Sequence, residues 1–286
     1  MTVETPFIFT CNGDQLMGML HVPGNPARIG LLILVGGPQY RVGACRQYVH
    51  LARAVADAGI AAMRFDYRGV GDSEGDYPGF ENVGPDIDAA ISAFMDRVPN
   101  LEGVVLWGLC EGASAILLEG VKNPHVRGAV LANPWVNTTE TQAKTYLKHY
   151  YGSRFLDPEI WKRLFRGDIN ILKSLSGIAG LVRKTFAKAP EGSASRPYPV
   201  RMAEGFEVFK GQTLLIMSER DLVAREFEDV SQSAPEWQAF RQSETVKRVD
   251  ITGSDHTFSK GQWRTRVADA TGDFVRGIAE KVSPNG

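Results

Sequence analysis

The run Val104-Val105-Leu106-Trp107 is apolar and β-rich, and it passes without a spacer into Gly108-Leu109-Cys110-Glu111-Gly112-Ala113-Ser114, a set of small residues suited to starting a helix. Gly108-Leu109-Cys110-Glu111-Gly112 has the spacing of a G-x-S-x-G nucleophile elbow, with cysteine where serine usually stands. A strand that turns sharply into a helix holds its middle residue in a strained backbone conformation, and bulk two positions to either side would strike neighbouring backbone. The middle residue then sits at a helix N-terminus, where free N–H groups and the helix dipole favour a thiolate and a developing oxyanion. A small buried cysteine between two turn glycines carries the same signature. The partners of Cys110 therefore have to be found elsewhere in the chain.

The remaining pattern supplies a frame for such a turn. Pro6 to Cys11 and Gln15 to Val22 read as two strands joined by Asn12-Gly13-Asp14. Ile29–Val35 is a continuous apolar run of the kind found in a buried strand, and it stops at Gly36-Gly37-Pro38-Gln39. Arg46 to Ala58 has helical apolar spacing and a stop at Gly59; Ile60–Phe65 is a further strand, and Val83 to Val98 a further helix. Beyond the elbow, Val126–Ala132, Gln212–Met217 and Thr245–Ile251 read as strands. A helix including Phe227 precedes the last of these, and a closing helix runs from about Trp263 to Lys281. Alternating apolar strands and helices predict an α/β fold, a mostly parallel central sheet with helices on both faces.

One segment breaks the alternation. From Trp135 to Glu204 the chain is helical, basic and aromatic (Tyr146, Lys148, His149, Tyr150, Trp161) and ends in a Pro/Gly/Ser-rich stretch at Ala189–Pro199. The expectation is a core of residues 1–134 and 205–286 with a helical lid of residues 135–204 inserted between two strands. Packing of these aromatics against the core, with a solvated basic outer face, is the competing reading.

Composition narrows the function. Thirty-two Lys+Arg against thirty-three Asp+Glu give a formal net charge of -1, so no global field recruits nucleic acid or an anionic membrane. The apolar runs are strand-sized, so no transmembrane segment is expected, and the N-terminus lacks the order of a signal peptide. The cysteines, Cys11, Cys45 and Cys110, form no C-x-x-C pair, which fits a reducing cytoplasm and neither a disulfide framework nor a metal site. No cofactor is expected.

In a parallel sheet, functional residues gather at the carboxyl ends of strands. Four such ends carry what an acyl-transfer mechanism needs. Cys110 is the candidate nucleophile, Asp221 follows the strand Gln212–Met217, and His256 follows Thr245–Ile251. Gly36-Gly37 lies where an oxyanion loop would lie, and the Glu111 N–H just after the nucleophile is a candidate oxyanion donor. Glu219 and Asp255 compete with Asp221 for the acid role, Asp255 also reading as a turn former. Arg41 and Arg46 could receive a substrate carboxylate or phosphate, or cap a surface. The loop Asp66-Tyr67-Arg68-Gly69-Val70-Gly71-Asp72-Ser73 reads as shaping the sheet edge without doing chemistry. Gly37, Arg41, Trp135, Tyr146 and Tyr150 are the candidate substrate contacts.

The Gly-Gly loop, the loop of residues 66–73, the elbow and the Asp221 and His256 loops together resemble the α/β-hydrolase superfamily over nearly the whole chain. More narrowly, the chain is similar to the exosortase A system-associated hydrolase 1 family. The stretches that carry this are Val35-Gly36-Gly37-Pro38-Gln39-Tyr40-Arg41-Val42-Gly43, Leu131-Ala132-Asn133-Pro134-Trp135-Val136, Leu147-Lys148-His149-Tyr150-Tyr151, Arg220-Asp221-Leu222-Val223-Ala224-Arg225-Glu226-Phe227 and Asp255-His256-Thr257-Phe258-Ser259. The resemblance implies an α/β-hydrolase fold, a cysteine at the elbow and acyl hydrolysis or transfer, with a substrate in exopolysaccharide or envelope metabolism if it extends to pathway. Unlike common lipases, the residue after Gly36-Gly37 is Pro38, which has no N–H. The Gln39 N–H is accordingly expected as the first oxyanion donor.

A thiol depends less on its base than a hydroxyl does, and its acyl-enzyme is a thioester, suited to passing acyl groups onward. The leading expectation is a cytoplasmic cysteine-nucleophile acyl hydrolase or acyltransferase acting on a thioester, ester or lactone through a Cys-His-Asp triad. Its partner would be a small-molecule or carrier-bound acyl substrate, with a homodimer left open. The alternatives are a dienelactone-hydrolase-like or lyase activity on a small carboxylate, and a non-catalytic ligand-binding fold.

Overall fold

The computed structural model describes residues 2–136 and 196–282. Strands are β1 (Val3–Cys11), β2 (Asp14–Val22), β3 (Ile29–Leu34), β4 (Ala62–Phe65), β5 (Gly103–Leu109), β6 (Val126–Ala132), β7 (Gln212–Ser218) and β8 (Val246–Ile251). They form one sheet in the order β1-β2-β4-β3-β5-β6-β7-β8. The pairs β1–β2 and β2–β4 are antiparallel and all later pairs parallel. The helices are α1 (Gln47–Asp57), α2 (Gly84–Arg97), α3 (Glu111–Leu118), α4 (Tyr198–Val208), α5 (Leu222–Ser233), α6 (Gln238–Gln242) and α7 (Gly261–Val282).

Every residue of β3 and of β5 is buried, because α1 and α7 cover one face of the sheet while α2, α3 and α4 pack on the other. Strands enclosed on both faces must be apolar throughout, which is why these two read as unbroken apolar runs. β8, at the sheet's edge, buries only Ile251 fully. Register aligns the carboxyl ends: Leu34 pairs with Gly108, Leu109 with Ala132, Ala132 with Ile216, and Ser218 with Ile251. The loops after β3, β5, β6, β7 and β8 therefore open on one rim.

The expected lid falls mostly outside the described residues, Tyr146, Tyr150 and Trp161 among them. Its C-terminal boundary needs correction. The residues 198–204 assigned to the lid belong to α4, which runs through the expected boundary at 205 and packs on α3. Gly205 sits so close to the Leu117 carbonyl that any Cβ there would overlap it, so α4 is a core helix held by a glycine contact.

Candidate active site

Cys110 lies between β5 and α3 with φ 59° and ψ −124°, a backbone region that costs on the order of 1–3 kcal/mol for a side-chain-bearing residue. Its neighbours hold it there. A Cβ at Gly108 would overlap the Gly112 backbone, and one at Gly112 would come within 2.8 Å of the Leu34 carbonyl oxygen. The Cys110 N–H donates to the Ala132 carbonyl at 2.9 Å, and its own carbonyl accepts from Ala113 N–H at 3.0 Å, so strand and helix share the residue. Glu111 is the first residue of α3, and its N–H has no intrahelical acceptor.

His256 lies between the other two groups. Its Nδ1 is 2.7 Å from Asp221 Oδ2, and its ring hydrogen-bonds the Cys110 side chain. Burial alone would lower the imidazole pKa, but the hydrogen bonds and negative charges of Asp221 and Cys110 outweigh it and raise the value to about 10. Asp221 is the N-cap of α5 and accepts from Val223 N–H at 3.1 Å and Ala224 N–H at 3.3 Å. A nearly buried carboxylate with two backbone donors is fixed in position as well as in charge. The two competing acids are used elsewhere. Glu219 Oε2 accepts from Gly253 N–H at 2.5 Å, and Asp255 caps its own turn by accepting from Ser259 N–H at 2.9 Å.

Comparison with known proteins agrees with this architecture. The sequence model of the family described as Serine aminopeptidase, S33 matches residues 31–161. An esterase of Pyrococcus furiosus superposes with a TM-score of 0.64 at 16% identity, over 96% of this chain and 90% of that one. A dienelactone hydrolase of Anabaena variabilis gives 0.60 at 15%, over 96% and 98%. An esterase domain from Rhodothermus marinus gives 0.59 at 17%, over 96% and 98%. No curated protein matches the chain. The chain has the fold of the α/β-hydrolases.

Two sequence expectations about this rim are corrected. The Gln39 N–H turns back on the Gly37 carbonyl at 2.8 Å, closing a tight turn around Pro38, and is not free to receive an oxyanion. The Gln39 side chain is also engaged, accepting from the Tyr48 hydroxyl at 3.3 Å. Arg41 is neither a substrate contact nor a surface cap. It is buried, pairs with Asp66 and, at 2.8 Å, with Asp72, and stacks on the Tyr40 ring. Its backbone N–H also donates to Asp66 Oδ1 at 2.6 Å, so the loop of residues 66–73 anchors the chain leaving the Gly36-Gly37 turn. Arg46 is exposed.

Two other residues singled out in the sequence lie close to Cys110. Gly37 (φ 64°) faces the Glu111 side chain, whose carboxylate touches the place where a Cβ would stand. The Trp135 N–H donates to the Cys110 carbonyl at 3.4 Å and to the Ser114 hydroxyl at 3.1 Å, while its own carbonyl accepts from that hydroxyl at 2.6 Å. Burial raises the Glu111 pKa, and no ion pair relieves it among the described residues.

One residue at the rim escapes the sequence reading. Asn133 is fully buried with φ 42°, and its amide braces three loops. Its Nδ2 donates to Ser218 Oγ at 2.9 Å and to the His256 carbonyl at 3.0 Å, and its Oδ1 accepts from Ser218 N–H at 2.8 Å. The signal in the sequence is an asparagine directly after a strand, which is also how an ordinary turn begins. Among the described residues no cluster of His, Cys, Asp and Glu could hold a metal ion, and no helix is long and apolar enough to cross a membrane.

Proposed function

We propose that the chain is a cysteine-dependent acyl hydrolase or acyltransferase in which Cys110 is the nucleophile, His256 the general base and acid, and Asp221 the group that orients His256. The observation that carries this reading is the position of His256, bonded at once to a capped, buried carboxylate and to a thiol held at a strained elbow. An imidazole held between a carboxylate and a sulfur can serve that sulfur as base and the leaving group as acid.

The Cys110 thiolate attacks the acyl carbonyl, a C–S bond forms and the carbonyl oxygen becomes an oxyanion. The backbone N–H of Glu111 and that of Gly37, which precedes Pro38 and so is not lost to it, are the donors for that oxyanion. Collapse expels the leaving group, which takes the proton held on His256. In the second half, water or another nucleophile loses a proton to neutral His256 and attacks the thioester, and Cys110 leaves as thiolate, re-forming the ion pair. The likeness to dienelactone hydrolase supports a second reading, in which the same groups open a small cyclic ester. The stretches quoted from the sequence further support membership among the exosortase A system-associated hydrolases, and with it a substrate from exopolysaccharide or envelope metabolism.

The test is intact-mass analysis after incubation with a panel of acyl thioesters, activated esters and lactones. A mass gain on Cys110 reports nucleophile and acyl class together. Cys110→Ala should abolish turnover, and His256→Ala should cost at least about a thousandfold, because members of such a unit fail together. Cys110→Ser should keep weak ester hydrolysis and lose most transfer from thioesters. Full activity in Cys110→Ala on the true substrate would remove covalent catalysis from consideration.

A further inference from the structure

At the opposite end of the sheet from Cys110 lies a cleft of about 440 Å³. It is entered where β6 and β7 begin, and a strand of seven residues separates it from the rim, roughly 20 Å along the sheet. Its volume is in the range of small-molecule sites, which run from about 300 to 1,000 Å³. The walls come from four separate segments: the turn leading into β6, the end of α4, the connector Phe209-Lys210-Gly211, and the last turn of α7.

The lining is unlike the chain as a whole. Overall charge is nearly balanced, yet the cleft is lined by Lys122, Arg127, Lys210 and Lys281 and by no acid. Lys122 is neutralised by Glu119 at 2.9 Å, whereas Arg127, Lys210 and Lys281 have no ion pair among the described residues. Arg127 spends one guanidinium N–H on the Glu102 carbonyl at 3.5 Å. Between the cations lies an apolar floor that includes Phe209 and Ile278, with Val208 left 65% exposed at the edge. Two helices, α4 and α7, end here, and their carbonyl ends oppose an anion more weakly than three full positive charges attract one.

From this juxtaposition we infer that the cleft is a second binding site, for a small amphipathic anion: a short alkyl chain on the Phe209–Ile278 floor with its carboxylate, sulfate or phosphate held by Arg127, Lys210 and Lys281. Each part of the site answers to one part of such a ligand. A purely apolar ligand would leave three cations unanswered, and a bare anion would leave the floor wet. The site is independent of the chemistry at Cys110 and stands whether or not that residue is a nucleophile.

Photo-crosslinking with a diazirine-bearing octanoate on the full chain, followed by peptide mapping, tests this. Label is expected on the peptides containing residues 208–212 and 278–282, competed by excess octanoate and unchanged in Cys110→Ala. Lys210→Glu/Lys281→Glu, whose positions are at the rim of the cleft, should keep the wild-type melting temperature and lose at least about tenfold of the labelling. Label confined to other peptides, equal labelling of the charge-reversed variant, or equal competition by octyltrimethylammonium would overturn the inference. So would retention on anionic phospholipid vesicles without labelling by monomeric octanoate, which would make the cleft a membrane contact instead.

Discussion

Glu111 stands beside Cys110 with its N–H at the start of α3 and its carboxylate turned toward Gly37. Burial raises its pKa, so in the folded chain the carboxyl holds its proton more tightly than in the unfolded chain. Ionising it at neutral pH therefore works against folding, and the cost disappears in acid where both states are protonated. Glu111→Gln should melt at a higher temperature than the parent at pH 7 to 8, with the difference closing as pH falls toward the ordinary carboxyl value of about 4.3 and gone below it. Melting curves across that range check it. At this scale Cys110, Asp221 and His256 are legible in the sequence because each is flagged by its neighbours: glycines two positions away, or a strand ending just before. Gln39 and Arg41 are not, since the turn around Pro38 and the pairing with Asp66 depend on contacts that sequence spacing does not encode.

Among elements, the tie between the ends of β6 and β7 positions the histidine loop. Asn133 replaces the missing sheet hydrogen bonds where these two strands part, and through Ser218 it also reaches the Asp255 carbonyl, which accepts from Ser218 Oγ at 2.9 Å. Asn133→Gly keeps the positive φ and removes all three side-chain bonds. Each buried group left without its partner costs about 1–3 kcal/mol, and a shift of His256 on the order of 1 Å can cost up to about a hundredfold in rate. The variant should fold with a lower melting temperature, and its loss of activity should fall on kcat rather than KM; a normal kcat would show that the brace is structural only. Strands buried on both faces are plain in the sequence. The start of α4 is not, because Tyr198 and Pro199 are the last residues of a Pro/Gly/Ser-rich stretch that masks a helix beginning with proline in its first turn.

Over the whole molecule, two histidines pull the pH dependence of stability in opposite directions. His21 is fully buried; burial and the Arg64 guanidinium, which donates to it at 3.1 Å, lower its pKa to about 4. The unfolded chain takes up that proton first, so stability falls as pH drops from about 6.5 toward 4. His256 is the reverse. With its pKa raised to about 10, its contribution is complete below pH 6.5 and is lost as pH climbs toward 10. A stability maximum near pH 6.5 is the expected outcome. In Cys110→Ala, which removes one of the partners that raise the His256 value, the alkaline decline should start at the same pH, be smaller and end at lower pH; melting temperatures of both proteins from pH 4 to 10 decide it.

The frame around the elbow has a consequence for how such a chain can diversify. What constrains Cys110 is glycine and main chain: Gly108, Gly112 and the carbonyls of Leu34 and Val35. None of these contacts distinguishes sulfur from oxygen. Exchanging cysteine for serine is a single-base change in a codon, and none of the contacts that hold the turn opposes it. Descendants of one ancestor could move between thiol and hydroxyl chemistry while every surrounding residue stayed as it was, leaving the identity of a single atom to separate one enzymatic trade from another.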